Sequence, residues 1–380
     1  MPRTIENSLA DEFALRGASL QRIEFDNLPG LHAEGFSESW VAFRRSCSAL
    51  AEEAAPLRPA QPHSEELKQA LRRFAQMPIA KSNDDALRLF REEFAAFQVS
   101  PEKPTFFTGY YEPVVQGSLS RTPTFCEPLL SRPPNLDRHA PGDAHAKLDQ
   151  NYDSRIHPPY PTRAEIERGA LGDLARPLVW VRDGIEAFLI HVQGSARVVL
   201  QDGSLLRLTY SGRNGRRYTS IGAILIQEGL VAPEEMSLAR LKSWVRANGQ
   251  GPQDIGRALM QRNESFIFFE ANRSLDPEEG PIGGASLALT PLRSIAVDRG
   301  IWPYGLPYWL SANLPWLSSS WLSSSPSPFQ RMVVGQDTGS AIIGPARADI
   351  FFGSGPEAGE RAGDIRHSGS MFVLVPGRAI

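Results

Sequence analysis

The chain has 380 residues, more than one hydrophobic core normally accommodates, so two domains are expected. Its composition, 41% hydrophobic and 22% charged, is that of an ordinary globular protein, and a net charge of -3 without a dominant basic stripe gives no ground for nucleic-acid binding. No apolar run approaches the roughly 18 residues of a transmembrane helix, while 31 prolines and 32 glycines point to a β-rich, turn-rich fold.

Met1 to Leu20 carries Glu6, Asp11, Glu12 and Arg16 without an apolar core, so it does not read as a signal peptide. Ser64 to Met77 has Leu67, Leu71 and Phe74 at helical spacing. Ser82-Asn83-Asp84-Asp85 then supplies caps for a second helix, whose apolar face is expected to hold Leu87, Phe90, Phe94 and Phe97. Thr105 to Val115 reads as a strand ending in a loop, and Cys126 to Tyr160 as a long Pro-, His- and Asp-rich connection. Cys47 and Cys126 read as incidental thiols rather than a disulfide.

Thr162 and Glu165 have capping-box spacing. Leu178 to Ile221 is expected to be a β region, with hairpin turns at Asp183-Gly184, Asp202-Gly203 and Asn214-Gly215. Helices follow near Pro233 to Asn248 and from Pro252. Short strands are expected at 266–269, 294–297, 332–334 and 371–375, and Pro315 to Phe329 reads as an unusually long Ser/Pro-rich loop.

Asp298, Asp337 and Asp349 lie at Gly-rich strand ends, where small neighbours leave a carboxyl open for acid–base work. Turn aspartates that bond their own backbone are the plain alternative. Asp337-Thr338-Gly339-Ser340 also has the look of an aspartic-protease loop, but one copy would require a dimer, and Gln336 fits poorly in a buried apolar strand. Trp302, Trp309, Trp316 and Trp321, with Tyr304 and Tyr308, read either as platforms for sugar rings or as core. Tyr110, Tyr111 and Glu112 offer two phenols and a carboxylate at a strand end. Gln193 suits sugar hydroxyls, while Ser195 is a weak nucleophile because His191, taken to lie in the same strand, is its only nearby base. No metal-ligand spacing or phosphate loop is present.

Several segments together resemble the membrane-bound lytic murein transglycosylase A family. They are FTGYYEPV at 107–114, HPPYPTRAEIERGAL at 157–171, HVQGSARVVLQDG at 191–203 and YTSIGAILI at 218–226. Further along come NESFIFF at 263–269, IAVDRG at 295–300, QDTGSAIIG at 336–344 and RADIFFGSGPEAGERAG at 347–363. The resemblance implies a mainly β protein with some helices. A double-psi β-barrel (3D) catalytic domain from 1–125 and 285–380 would carry an inserted second β-barrel at 126–284, with a glycan-binding groove separating them.

It also implies an exolytic transglycosylase that splits the β-1,4 bond between N-acetylmuramic acid and N-acetylglucosamine, leaving a 1,6-anhydro ring. One aspartate would serve as acid and then base, without cofactor or metal. Asp349 takes that role, Asp337 supports it, and Asp298, Tyr110, Tyr111, Gln193, Gly194, Ser195 and Tyr308 are implied to bind substrate. Peptidoglycan strands are the implied partner, together with cell-wall synthesis complexes and peripheral outer-membrane association in the periplasm. No lipoprotein signal is visible in this chain. A dimeric protease and a non-catalytic wall-binding module remain the alternatives.

Overall fold

The computed structural model describes residues 12–31, 35–52, 55–136, 160–273, 279–317 and 326–377. In chain order the first strands are β1 (Glu12–Leu15), β2 (Ala18–Ile23), β3 (Phe94–Pro101), β4 (Phe106–Glu112), β5 (Val114–Ser118) and β6 (Glu127–Leu130). Next come β7 (Pro177–Val181), β8 (Ala196–Leu200), β9 (Leu205–Arg213), β10 (Ile267–Asn272) and β11 (Ser294–Ala296). The last are β12 (Pro307–Leu314), β13 (Ser327–Asp337), β14 (Arg347–Ser354), β15 (Arg366–His367) and β16 (Ser370–Pro376). The helices are α1 (Phe36–Ala51), α2 (Glu65–Gln76), α3 (Asn83–Glu93), α4 (Arg163–Glu167) and α5 (Gly184–Gln193). They continue with α6 (Ile221–Gln227), α7 (Leu238–Ala247), α8 (Ile255–Gln261) and α9 (Pro356–Gly363).

Two compact units share the chain. Unit 1 takes residues 1–110, 282–353 and 364–380, and unit 2 takes 111–281 and 354–363. The first boundary thus falls at Tyr110/Tyr111 rather than near residue 125. Pro113, which has no N–H to donate, separates β4 from β5, and β5 pairs with β8 and β7 of unit 2. The segment 354–363 leaves its sequence neighbours because α9 packs on α7, with Gly363 close against Leu238.

Unit 1 is built on a ten-stranded mixed sheet ordered β1-β2-β3-β16-β12-β13-β11-β14-β4-β15. Helices α1 to α3 cover part of it through an aromatic core that includes Trp40, Phe43, Phe74, Phe90, Phe94 and Trp309. Ser64 and Ser82 cap α2 and α3 by accepting from the N–H groups of Leu67 and Asp85. Helix α3 ends before Phe94, however. Phe94 and Phe97 lie in β3, where Phe94 still reaches the same core by stacking on Phe74 at 5.0 Å. Helix α1 was not read from the sequence, because its buried face includes Ser39 and Ser46 beside Phe36, Trp40 and Phe43.

Unit 2 holds a six-stranded sheet ordered β10-β9-β8-β5-β7-β6. A bridge from Ser131, just past β6, to Phe269 in β10 brings its ends almost into a closed barrel. Its interior is filled by side chains such as Val179, Val181, Val198, Leu208 and Phe269. Asp183-Gly184 is not a hairpin turn: the Asp183 carboxylate accepts from Glu186 N–H and starts α5. That helix is apolar on nearly every side, which hides the 3.6-residue period. Asp202-Gly203 does join β8 to β9, with Gly203 at φ 81°. Asn214-Gly215 is followed by loop and then α6, and the Asn214 amide ties that loop to the carbonyls of Pro161 and Glu264.

Candidate active site

Three neighbouring strands of unit 1 form the base of the candidate site. In β11, Ala296 pairs with Asp337 of β13 on one side and with Asp349 of β14 on the other. Cross-strand partners point to the same sheet face, so the two carboxyls rise from one surface. Around Ala296 lie the buried apolar groups of Tyr110, Leu289, Ile342 and Phe351, with the Tyr110 and Phe351 rings 5.3 Å apart. Phe351 follows Asp349 by two residues along β14 and therefore shares its face.

Asp349 is half-buried, and its Oδ1 accepts a hydrogen bond from the Thr108 hydroxyl of β4. Thr108 Oγ1 in turn accepts from Arg347 Nη2 at 2.7 Å. Burial pushes the Asp349 carboxyl above the ordinary carboxylate range. The Arg347 charge and the Thr108 bond oppose that shift, and the nearby Asp337 charge adds to it.

Asp337 is held differently. Its Oδ1 accepts from the N–H groups of Gly284 at 2.7 Å and Thr338 at 2.8 Å, and its Oδ2 from Tyr110 Oη at 3.0 Å. Burial, and then the charges of Asp337 and Asp349, hold the Tyr110 phenol well above its usual pKa, so it stays a neutral donor. Tyr304 is likewise raised by burial and by Asp337, and its hydroxyl donates to the Arg58 carbonyl at 3.1 Å. Asp337 spends its oxygens on these three donors and stands two strands from Asp349, so the two carboxyls are not arranged to share one proton as in an aspartic-protease pair. Gln336 is fully buried, yet it is satisfied. Its amide donates to Ala42 O at 3.0 Å and Ser46 Oγ at 2.6 Å and accepts from Ser294 Oγ.

The remaining sequence candidates take other places. Asp298 is buried and organises a loop, accepting from Gly300 N–H at 2.9 Å and Gly344 N–H at 2.7 Å, so its carboxylate serves the backbone. Tyr308 cannot line a cleft here: it is fully buried, edge-on to Trp302 at 5.6 Å. Trp302, Trp309 and Tyr304 are core as well, while Trp316 is half-buried beneath Arg331 at 4.6 Å. Trp321 and residues 157–159 lie outside the described residues.

Tyr111, Gln193, Gly194 and Ser195 belong to unit 2. Gln193 Oε1 accepts from Tyr111 N–H at 3.1 Å, and the Tyr111 ring lies against Gly359. Burial, and then Glu186, raise the Tyr111 phenol to about 12. Gly194 ends α5 in the left-handed conformation at φ 83°, and Ser195 is buried beside it. His191 lies in this helix, not in a strand, and its Nδ1 accepts from Ile267 N–H at 3.2 Å. Burial and Arg163 keep the imidazole neutral. Cys47 and Cys126 are both free thiols. Among the described residues no cluster of His, Cys, Asp and Glu is arranged to hold a metal, and no helix is long and apolar enough to cross a membrane.

Sequence reading missed Thr108, Arg347, Gly284 and Arg58. The first two carried a usable signal, since Thr108 is two residues from Tyr110 and Arg347 two from Asp349 on their strands. Gly284 and Arg58 arrive from loops distant in sequence, which no local pattern marks.

Two family models match the chain: the MltA specific insert domain over residues 106–270 and the 3D domain over 293–375. A membrane-bound lytic murein transglycosylase A from Vibrio cholerae is 34% identical over 269 residues, covering 70% of this chain and 64% of the relative, so the matched part spans just under two thirds of that protein. A crystal structure of membrane-bound lytic murein transglycosylase from Agrobacterium tumefaciens superposes with a TM-score of 0.79 at 30% identity, covering 95% of this chain and 98% of the other. Escherichia coli MltA with bound chitohexaose superposes with a TM-score of 0.63 at 25% identity, covering 98% and 93%.

Proposed function

The chain belongs to the membrane-bound lytic murein transglycosylase A family, and from that premise we propose that it cleaves the glycan strands of peptidoglycan between N-acetylmuramic acid and N-acetylglucosamine. One observation carries the reading: half-buried Asp349, its proton affinity raised by burial, lies two strands from a second carboxyl, Asp337, that accepts three hydrogen bonds. That inequality is what an acid–base residue and its electrostatic support require. The relative with bound chitohexaose, a β-1,4-linked amino-sugar chain, supports a glycan as the substrate class.

Asp349, protonated, gives its proton to the glycosidic oxygen as the bond to the anomeric carbon breaks. Asp337 lies two strands away and stabilises the positive charge that develops on the sugar ring. The carboxylate of Asp349 then takes the proton of the muramyl 6-hydroxyl as that oxygen bonds to the anomeric carbon, closing the 1,6-anhydro ring. No water is consumed, and Asp349 ends as it began. Because the nucleophile belongs to the substrate, one carboxyl replaces the usual pair. Family membership also supports action in the periplasm, with association at the outer membrane.

Incubation of the purified chain with peptidoglycan sacculi, followed by mass spectrometry of the soluble fragments, tests this. Muropeptides one water lighter than hydrolytic products are expected. Fragments of hydrolytic mass would refute the intramolecular ring closure. Binding to sacculi without release would return the chain to the wall-binding alternative.

A further inference from the structure

We propose that Arg347 and Thr108 are positioning residues that polarise a hydrogen-bond chain onto Asp349 Oδ1 and thereby reserve Asp349 Oδ2 for the exchangeable proton. This deepens the reading of Asp349 as the acid and rests on it.

The direction of the chain follows from the chemistry of its first member. A guanidinium has donors only. Arg347 Nη2 lies 2.7 Å from Thr108 Oγ1, so the threonine oxygen accepts there. The threonine hydroxyl has one hydrogen, and its other close partner is Asp349 Oδ1, to which it donates. The guanidinium is itself fixed. Its Nη1 donates to the carbonyls of Ala348 at 2.7 Å and Phe106 at 3.3 Å, and its Cζ lies over the Phe106 ring, 5.3 Å from the ring centre. Arg347, Thr108 and Asp349 come from two strands, β14 and β4, so the order is set by the sheet rather than by a mobile loop.

A carboxylate oxygen that accepts a charge-assisted hydrogen bond is less basic than its twin. Among the described residues Asp349 Oδ2 takes no hydrogen bond, and the proton therefore resides there. The relay defines both halves of the reaction. In the first, Oδ2–H transfers its proton to the glycosidic oxygen, which keeps the electron pair of the broken C–O bond. In the second, the 6-hydroxyl oxygen forms its bond to the anomeric carbon, and its proton returns to Oδ2. Oδ1 stays bonded to Thr108 throughout, so the carboxyl need not rotate between steps.

The test is titration of the Asp349 carboxyl by carbon NMR in the full chain without substrate, its signal assigned by its loss in Asp349→Asn. Thr108→Val removes the donor at equal shape and is expected to move the Asp349 midpoint upward. Arg347→Gln is expected to move it in the same direction, while Thr108→Ser keeps the wild-type midpoint. Turnover by Thr108→Val and Arg347→Gln is expected to fall by about tenfold or more with KM little changed, and Thr108→Ser to retain it. An unchanged midpoint in both Thr108→Val and Arg347→Gln, each folded by its melting curve, overturns the relay. Because the midpoint is read without substrate, this outcome is separable from failure of the transglycosylase reading, which shows in the released fragments alone.

Discussion

Asp337 and Asp349 are paired with the same residue: Ala296 of β11 faces Asp337 across one edge and Asp349 across the other. Two strand spacings place their Cα atoms roughly 10 Å apart. The sheet thus fixes the separation, and the surroundings make the two carboxyls unequal. Asp337 receives Gly284 N–H, Thr338 N–H and the Tyr110 hydroxyl, whereas Asp349 receives Thr108.

Asp349→Asn is expected to lower release of anhydromuropeptides by about 10²-fold or more, the span of a lost general acid. It should also melt higher than wild type at neutral pH. The folded Asp349 pKa lies above its unfolded value. Its contribution to stability is therefore fully present below the unfolded carboxyl pKa of about 3.9 and is lost as pH rises through the raised folded value. The gap between wild type and Asp349→Asn in melting scans should accordingly close as pH falls toward about 4. A variant that keeps wild-type turnover would remove Asp349 from the mechanism.

Asp337→Asn separates support from catalysis. The Asp337 charge raises the Asp349 pKa, so its removal lowers it. Activity that requires protonated Asp349 should then fall away at lower pH than in wild type. Turnover should drop as well, because a neutral amide at this position can no longer supply a full negative charge to the sugar ring. The pH dependence of kcat/KM checks this, and a basic limb that stays in place or moves to higher pH contradicts it.

How far the sequence carried the fold depends on where the signal was local. Caps at Ser82 and Thr162 and the Asp202-Gly203 hairpin were legible, because each acts within four residues. Helix α5 was not: Gly184 to Gln193 is buried on almost every side, so its β-branched, apolar run looks like a strand. Helix α1 was missed for the opposite reason. Its buried face carries Ser39 and Ser46, whose partners Met332 and Gln336 lie nearly 300 residues away in sequence. At the candidate site the three aspartates were legible as turn-end carboxyls, and family resemblance ranked Asp349 first. The partner sets that distinguish Asp298 from Asp349 arise only in the folded chain, when Gly344 closes on Asp298 and Thr108 on Asp349.

Gln336→Leu tests whether the buried amide couples α1 to the strand that ends in Asp337. Leucine preserves apolar bulk but leaves Ser46 and Ser294 without the partner they have now. A buried polar group stripped of its bond costs about 2 kcal/mol. For a unit of this size that is a fall of roughly 4–8 °C in the melting of unit 1. Calorimetry checks it, and an unchanged transition would mean that the serines re-pair at no cost.

Gly284→Ala probes the donor set of Asp337 without touching a carboxyl. A Cβ at this position would lie 2.5 Å from the Tyr304 hydroxyl oxygen and 3.3 Å from Asp337 Oδ1. Tyr304 is 2% exposed and its hydroxyl is bonded to the Arg58 carbonyl, so the ring has no room to swing away. The backbone at 284 must retreat instead, and the Gly284 N–H bond to Asp337 lengthens or breaks. Losing one preorganised donor from an electrostatic site typically costs 10²–10³-fold in turnover. Because Thr338 N–H and Tyr110 remain on Asp337, the expected loss is nearer the lower end, roughly 10²-fold. Adding Tyr304→Phe deletes the oxygen that the new methyl strikes, and should recover part of that loss. Wild-type turnover in the single variant would show that Gly284 N–H is dispensable. An equally impaired double variant would show that the clash with Tyr304 is not the cause.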